Sequence, residues 1–279
     1  MTPSASAIVM AGNGTNCEIE TATACRLAGF DKVDIVTVWE LLNGDVTLDS
    51  YDFLNLPGGF LDGDDLGSGM AQANRILNSV DKKSATPLID QFSRFIHSGK
   101  LILGICNGYQ LMMKLGLLPA LDDEYLQQQA TLTWNDCGKF EDRWVILKVN
   151  TQSPCIFTRG ITDLPLPVRH GEGKFVACDS ETLTRIKQRN QAVVYYVASQ
   201  NGEPTMEYPA NPNGSQSGIA GICDASGRVF GLMPHPEAFL HRTNHPSWTR
   251  LSLPEEGAGL QLFRNAYEFI TSSQARAAA

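Results

Sequence analysis

Cys106 stands where a fully apolar run, Leu101-Ile102-Leu103-Gly104-Ile105, meets the helical pattern that begins at Asn107 and continues through Leu111, Met112 and Leu115. A strand running into a cysteine with a helix directly after it is the turn of a nucleophile elbow, with cysteine in place of serine. Gly104 and Gly108 flank the turn by two residues on each side, so the backbone can bend sharply and strand and helix can approach closely. A helix N-terminus also offers unpaired N–H groups and partial positive charge, which favour a thiolate. The other six thiols, Cys17, Cys25, Cys137, Cys155, Cys178 and Cys223, lack that setting and read as ordinary core cysteines.

A cysteine nucleophile needs a base that later protonates the leaving amine, and histidine is the usual one. Of the five histidines, His97 falls near the end of an amphipathic helix and reads as a dipole partner. His170 lies in the glycine-rich segment Arg169-His170-Gly171-Glu172-Gly173. His235 follows a strand pattern in Leu232-Met233-Pro234-His235-Pro236-Glu237, where two prolines stiffen the loop and Glu237 can hold one ring nitrogen. Cys106, His235 and Glu237 then make a triad drawn from two strand ends. His241 and His245 have H-x-x-x-H spacing, but Pro246 and the polar surroundings are loop-like and no Glu lies between them, so no metal is expected. Attack on an amide builds charge on oxygen, which two backbone N–H groups usually meet. Asn107 is one candidate donor. Gly59, in Leu56-Pro57-Gly58-Gly59-Phe60, is the other, although Pro-Gly-Gly by itself is equally a tight turn.

The elements needed to place these residues alternate through the first half. Strands are expected at 7–10, 33–39, 53–56 and 101–105, with helices at about 16–28, partly over 67–77, and from Thr86-Pro87 to Gly99. That alternation predicts right-handed crossovers and an α/β fold with a doubly wound, mostly parallel sheet, whose ligands bind at strand carboxyl ends. The second half is richer in strands, expected at 145–149, 168–176, 193–198 and 229–233, before a last helix at about 259–270. No linker or repeat interrupts the chain, so it reads as one domain over 1–279, with a core of about 7–271 and a flexible tail at 272–279.

A net charge of −8 disfavours nucleic acid or an anionic membrane as partner, and no apolar run is long enough to span a bilayer. Residues 1–7 lack a basic region and lead into a strand, not a signal peptide. Seven irregularly spaced cysteines without C-x-x-C point to free thiols in a reducing cytoplasm.

With these pieces assembled, the chain resembles the class I (triad) glutamine amidotransferases: L-P-G-G, G-x-C-x-G-x-Q and H-P-E occur in the family's order. His170-Gly171-Glu172-Gly173-Lys174-Phe175 and Asn211-Pro212-Asn213-Gly214-Ser215 narrow the resemblance to the glutaminase subunits of phosphoribosylformylglycinamidine synthase, over about 8–269. The resemblance implies a three-layer, flavodoxin-like fold. It implies that Cys106 forms a thioester with glutamine, that His235 moves the protons and that Glu237 orients it. Gln110, His170 and Gly171 become candidate substrate contacts. It implies no cofactor in this chain, with ATP and Mg on a synthase subunit that receives the ammonia, and a small bridging subunit as second partner. The alternatives are a triad glutaminase serving another synthase, a non-catalytic regulatory subunit of the same fold, and a related γ-glutamyl hydrolase or cysteine peptidase.

Overall fold

The structure, a computed structural model, describes residues 4–200 and 202–277. The first apolar run forms β1 (Ser6–Ala11), and after a Gly-Asn loop comes α1 (Glu18–Ala28), closed by Gly29 in the left-handed conformation at φ 113°. The second strand, β2 (Lys32–Thr37), stops short of the expected Trp39. Thr37 and Glu40 form a capping box there and start α2 (Val38–Asn43). Next come β3 (Phe53–Leu56), α3 (Met70–Asn78) and α4 (Leu88–His97). Thr86 does not cap α4: Pro87 occupies the cap position, and the Thr86 hydroxyl pairs with Ser84 Oγ at 2.7 Å. The apolar run before Cys106 is β4 (Leu101–Ile105), followed at once by α5 (Asn107–Lys114).

The second half contributes β5 (Ala130–Thr133), β6 (Glu141–Val149), β7 (Asp163–His170), β8 (Lys174–Ala177), α6 (Ser180–Gln188), β9 (Ala192–Val197), β10 (Ile219–Cys223), β11 (Val229–Leu232) and α7 (Leu260–Ala277). The single strand expected at 168–176 is two, β7 and β8, separated by Gly171-Glu172-Gly173. The last helix continues past Ile270 through most of the expected tail. Residues 278–279 of that tail, and residues 1–3, lie outside the described residues.

Nine strands form one sheet in the order β2-β1-β3-β4-β11-β10-β9-β6-β7. The expected parallel core is the run β2-β1-β3-β4-β11, and an antiparallel wing of four strands continues from β11 to β7. β5 and β8 pair separately. α1 packs on β1 and β2 and against α7, while α5 lies over β4 with α3 beside it. Among the described residues no helix is long and apolar enough to cross a membrane.

Because β1, β3, β4 and β11 are adjacent and parallel, their carboxyl ends emerge along one edge of the sheet, neighbouring strands lying about 4.8 Å apart. The loops after Ala11, Leu56, Ile105 and Leu232 must therefore meet. The wing curls back onto the same edge: His235 N–H donates to the Pro167 carbonyl at 2.9 Å and Cys106 Sγ lies 3.5 Å from the Arg169 carbonyl, both acceptors on β7.

Candidate functional site

Cys106 has φ 51° and ψ −106°, a conformation that costs a non-glycine residue about 1–3 kcal/mol and persists only where the surroundings impose it. The constraint is visible on both sides. Cys106 N–H donates to the Leu232 carbonyl at 2.9 Å, and its own carbonyl accepts the Gln110 N–H at 3.0 Å. A Cβ on Gly108 would stand 1.8 Å from the Leu56 carbonyl oxygen, and one on Gly104 would stand 2.2 Å from Met112 Sδ. The two glycines let α5 sit down on β3 and β4, and the tight junction forces the elbow.

Cys106 is 4% exposed. His235 Nδ1 is 2.6 Å from Glu237 Oε1, and both side chains are buried. A carboxylate there accepts the Nδ1 proton, which leaves Nε2 as the free nitrogen, and Nε2 has no hydrogen-bond partner. Burial opposes a charged His235, but the carboxylate of Glu237 and then the thiolate of Cys106 outweigh it and hold the imidazole well above its usual value. Gly58 makes this closeness possible. A Cβ on it would lie 2.9 Å from His235 Cε1 and 3.5 Å from Cys106 Cβ. Only a hydrogen atom fits between the two.

The candidate oxyanion donors flank the thiol. Asn107 carries the first N–H of α5, which has no acceptor within the helix. Gly59 is held at φ 154° against the segment after β1, where Phe60 N–H donates to the Gly14 carbonyl at 2.8 Å. The Asn107 side chain ties the two segments together. Its Oδ1 accepts the Leu61 N–H at 2.8 Å, and its Nδ2 donates to Asp64 and Gln110.

A cavity of about 300 Å³ opens beside Cys106, with Gly59, Gln110, His170 and Gly171 all in its wall. The amide of Gln110 is engaged within the protein, accepting from Asn107 Nδ2 at 2.8 Å and donating to the Glu172 carbonyl. It brackets the loop after β7 against α5. His170 is buried. Its Nδ1 lies 3.1 Å from Asn135 Oδ1, an oxygen that also accepts the Gly173 N–H, while Asn135 Nδ2 donates to the His170 and Lys139 carbonyls. That pattern puts the His170 proton on Nδ1 and leaves Nε2 a bare acceptor without a partner. Asn213 and Ser215 hold the loop from the other side through the Gly173 carbonyl. The H-G-E-G-K-F and N-P-N-G-S runs thus brace each other across this wall. Asn135, which sequence reasoning passed over, fixes the His170–Gly173 loop from within the wall.

Burial, reinforced by the charge of His235, pushes His170 down to about 3. The unfolded chain takes up this proton near pH 6.5, whereas the folded one refuses it until about pH 3. Stability is therefore expected to fall as pH drops through that window, by up to about 1.4 kcal/mol per pH unit from this group. Urea unfolding of wild type and His170→Gln at pH 7, 6, 5 and 4 checks it. The substitution should flatten the acid slope, and an unchanged slope would refute the account.

Cys17, expected in the core, lies instead at this edge. Its Sγ is 4.0 Å from His235 Nδ1, and burial raises its thiol. Cys17, His235 and Glu237 bring potential ligand atoms within 4.8 Å of one another, but the 2.6 Å His–Glu contact is a hydrogen bond, closer than two ligands of one zinc ion. Cys178 is exposed and Cys137 half-buried, so neither is a core thiol as expected. His241 and His245 take separate partners, Glu255 at 2.6 Å and the ring of Trp144.

A profile of the CobB/CobQ-like glutamine amidotransferase domain matches residues 4–270. The chain is 43% identical over 273 residues to phosphoribosylformylglycinamidine synthase subunit PurQ of Methanococcus maripaludis, spanning 94% of this chain and 97% of that protein. It is 43% identical over 262 residues to the subunit of the same name from Dehalococcoides mccartyi, spanning 94% and 96%. Among solved structures it is similar to a chain of PurLQS from Thermotoga maritima, with a TM-score of 0.69 and 28% identity over 96% of this chain and 99% of that one. The elbow, the strand-end convergence and these relatives agree: the chain belongs to the CobB/CobQ-like glutamine amidotransferases, and within them to the PurQ group of phosphoribosylformylglycinamidine synthase subunits.

Proposed function

We propose that Cys106 is the nucleophile with which this chain, a glutaminase subunit of phosphoribosylformylglycinamidine synthase acting in purine biosynthesis, releases ammonia from glutamine. The observation that carries the assignment is the strained Cys106 at the strand-to-helix turn with the buried His235–Glu237 pair beside it. The thiolate adds to the side-chain amide carbon. The N–H groups of Asn107 and Gly59 receive the charge that develops on oxygen. His235, held by Glu237, protonates the departing nitrogen, and ammonia leaves a glutamyl thioester on Cys106. His235 then takes a proton from water as the water attacks the thioester, and glutamate departs with the thiolate restored.

The ammonia passes to a synthase subunit that carries ATP and Mg, and a third, small subunit bridges the two. Support for this partnership comes from the similarity to a chain of PurLQS from Thermotoga maritima and from the mouth of the cavity. There Phe60 and Phe140 stack with ring centres 6.2 Å apart and Trp134 is 66% exposed, an apolar rim suited to a protein partner. Seven free cysteines suit the cytoplasm. The deciding experiment is co-purification with the synthase subunit followed by a coupled assay on formylglycinamide ribonucleotide, ATP and glutamine. Formation of the amidine is expected. Ammonia release from glutamine without any amidine would assign the chain to a different synthase.

A further inference from the structure

The peptide between Gly58 and Gly59 is held in one orientation. Its carbonyl accepts the N–H groups of Asn16 and Cys17, at 3.2 and 3.3 Å, just ahead of α1. In a trans peptide the N–H points opposite to the C=O. The Gly59 N–H is therefore turned away from α1, and among the described residues it donates to no acceptor. Gly59 lines the cavity beside Cys106. A half-turn of this one peptide would put a carbonyl oxygen where the donor stands, and the oxyanion would meet repulsion instead of a hydrogen bond.

The loop that follows is strained. Asp62, Asp64 and Leu66 have φ of 51°, 54° and 66°, and such a segment relaxes unless its surroundings hold it. The tie is made at Asp62. Its N–H donates to the Asn13 carbonyl at 2.8 Å, and its Oδ1 accepts from Asn13 Nδ2 at 3.3 Å. Both bonds fasten it to the 12–17 loop, the one that grips the Gly58 carbonyl. Arg75, on α3, takes the carboxylate with two parallel bonds, Nη1 to Oδ2 at 2.7 Å and Nη2 to Oδ1 at 3.1 Å. Arg75 is fixed in turn by Gln72 Oε1 at 2.6 Å, and its guanidinium lies 4.9 Å from the centre of the Trp39 ring. Both side chains of the ion pair are partly buried, and neither lines the cavity beside Cys106.

We propose that Arg75 and Asp62 are positioning residues for oxyanion stabilisation: the pair locks the strained loop after β3 to the 12–17 loop and so keeps the Gly59 N–H aimed into the cavity. The proposal rests on Cys106 being the nucleophile and Gly59 a donor to the oxyanion. The clamp acts on the stage at which charge develops on oxygen. It acts neither on the entry of glutamine nor on the thiol, and an ion pair that merely joined α3 to a loop would do none of this.

The test uses the assembled synthase complex and follows ammonia release from glutamine for wild type, Arg75→Ala, Arg75→Lys, Asp62→Asn and the double variant Asp62→Asn/Arg75→Ala. The same preparations are treated with iodoacetamide, whose reaction with Cys106 forms no oxyanion, and alkylation of Cys106 is timed by mass spectrometry. Arg75→Ala should lose about 10- to 100-fold in kcat, somewhat less than deletion of a whole donor, with KM and the alkylation rate within about three-fold of wild type. Arg75→Lys keeps the charge but not the fork and should recover part of kcat. Asp62→Asn suits the left-handed backbone at that position and should fall in the same range as Arg75→Ala, and it decides the matter alone if Arg75→Ala does not assemble. The double variant should be no worse than the poorer single one, because the two side chains act as a unit. A kcat within about three-fold of wild type, a loss carried by KM, or a loss matched by slower alkylation of Cys106 would each overturn the proposal and leave the nucleophile assignment standing. Single losses that multiply in the double variant would overturn it as well. A wild-type complex that releases no ammonia from glutamine would overturn the nucleophile assignment and the proposal with it.

Discussion

Cys106→Ala, assembled with the synthase subunit, is expected to lose glutamine-dependent amidine formation by about 10⁴-fold or more while keeping the rate with ammonium chloride. The size follows from what the thiol does. Without it no thioester forms, and the remaining groups can only assist direct attack of water on an unactivated amide. The ammonia route is spared because ammonia enters after the chemistry that Cys106 performs. Removing the sulfur of a residue only 4% exposed leaves a small void, and alanine at φ 51° is no more strained than cysteine, so the elbow should survive. Rates with glutamine and with ammonium chloride, measured on the same preparation, check both halves. Glutamine-dependent synthesis above about a hundredth of the wild-type rate would sink the nucleophile assignment. Loss of both activities would place the residue in assembly instead.

The placement of Cys106, His235 and the Gly58–Gly59 segment was legible in the sequence because each is a departure from a short, fully apolar strand. Parallel strands buried on both faces leave nothing polar until they end, so the first special residue after each one marks the ligand edge of the sheet. The same logic applied to β1 would have caught Cys17, which follows a Gly-Asn loop at that same edge. It went unread because strand adjacency, β1 beside β3, is a three-dimensional fact. α2 was missed although its signal was present: Thr37 and Glu40 are a capping box, masked by the β-branched run that precedes it. The break between β7 and β8 was written in Gly171 and Gly173, but the apolar alternation on both sides read as continuous. β10, Ile219-Ala220-Gly221-Ile222-Cys223, has no alternation because both of its faces are covered, and its Gly221 argues against a strand unless the bulged pairing with β9 is known.

The pocket wall was legible only as motif. Nothing in the run from His170 to Phe175 says that Asn135 holds its imidazole or that Asn213 holds its glycine, since those bonds span 35 and 40 positions. Residues that build one wall from three segments carry no local period. Burial and unpaired charge, which set Glu172 apart, exist only once the chain is folded.

Glu237→Gln is expected to cost about 10³–10⁴-fold in kcat/KM for glutamine, the scale found when the orienting carboxylate of a Ser-His-Asp triad becomes an amide. The 2.6 Å contact to His235 Nδ1 leaves the new side chain two choices. Turned with its oxygen toward Nδ1, glutamine keeps the proton there but no longer supports the imidazolium, which burial already opposes. Turned with its nitrogen toward Nδ1, it forces the proton to Nε2 and removes the base from the side facing Cys106. Glu237 Oε2 has no partner in the folded protein, so nothing outside the pair selects the better orientation. In either case a group now held well above its ordinary value must drop, and the limb of the pH profile that reports His235 should move to lower pH. A structural defect would lower the rate at all pH values and leave that limb in place. The profile of kcat/KM for wild type and Glu237→Gln therefore separates the two. A loss under about ten-fold with an unmoved limb would mean that His235 is oriented by something other than Glu237.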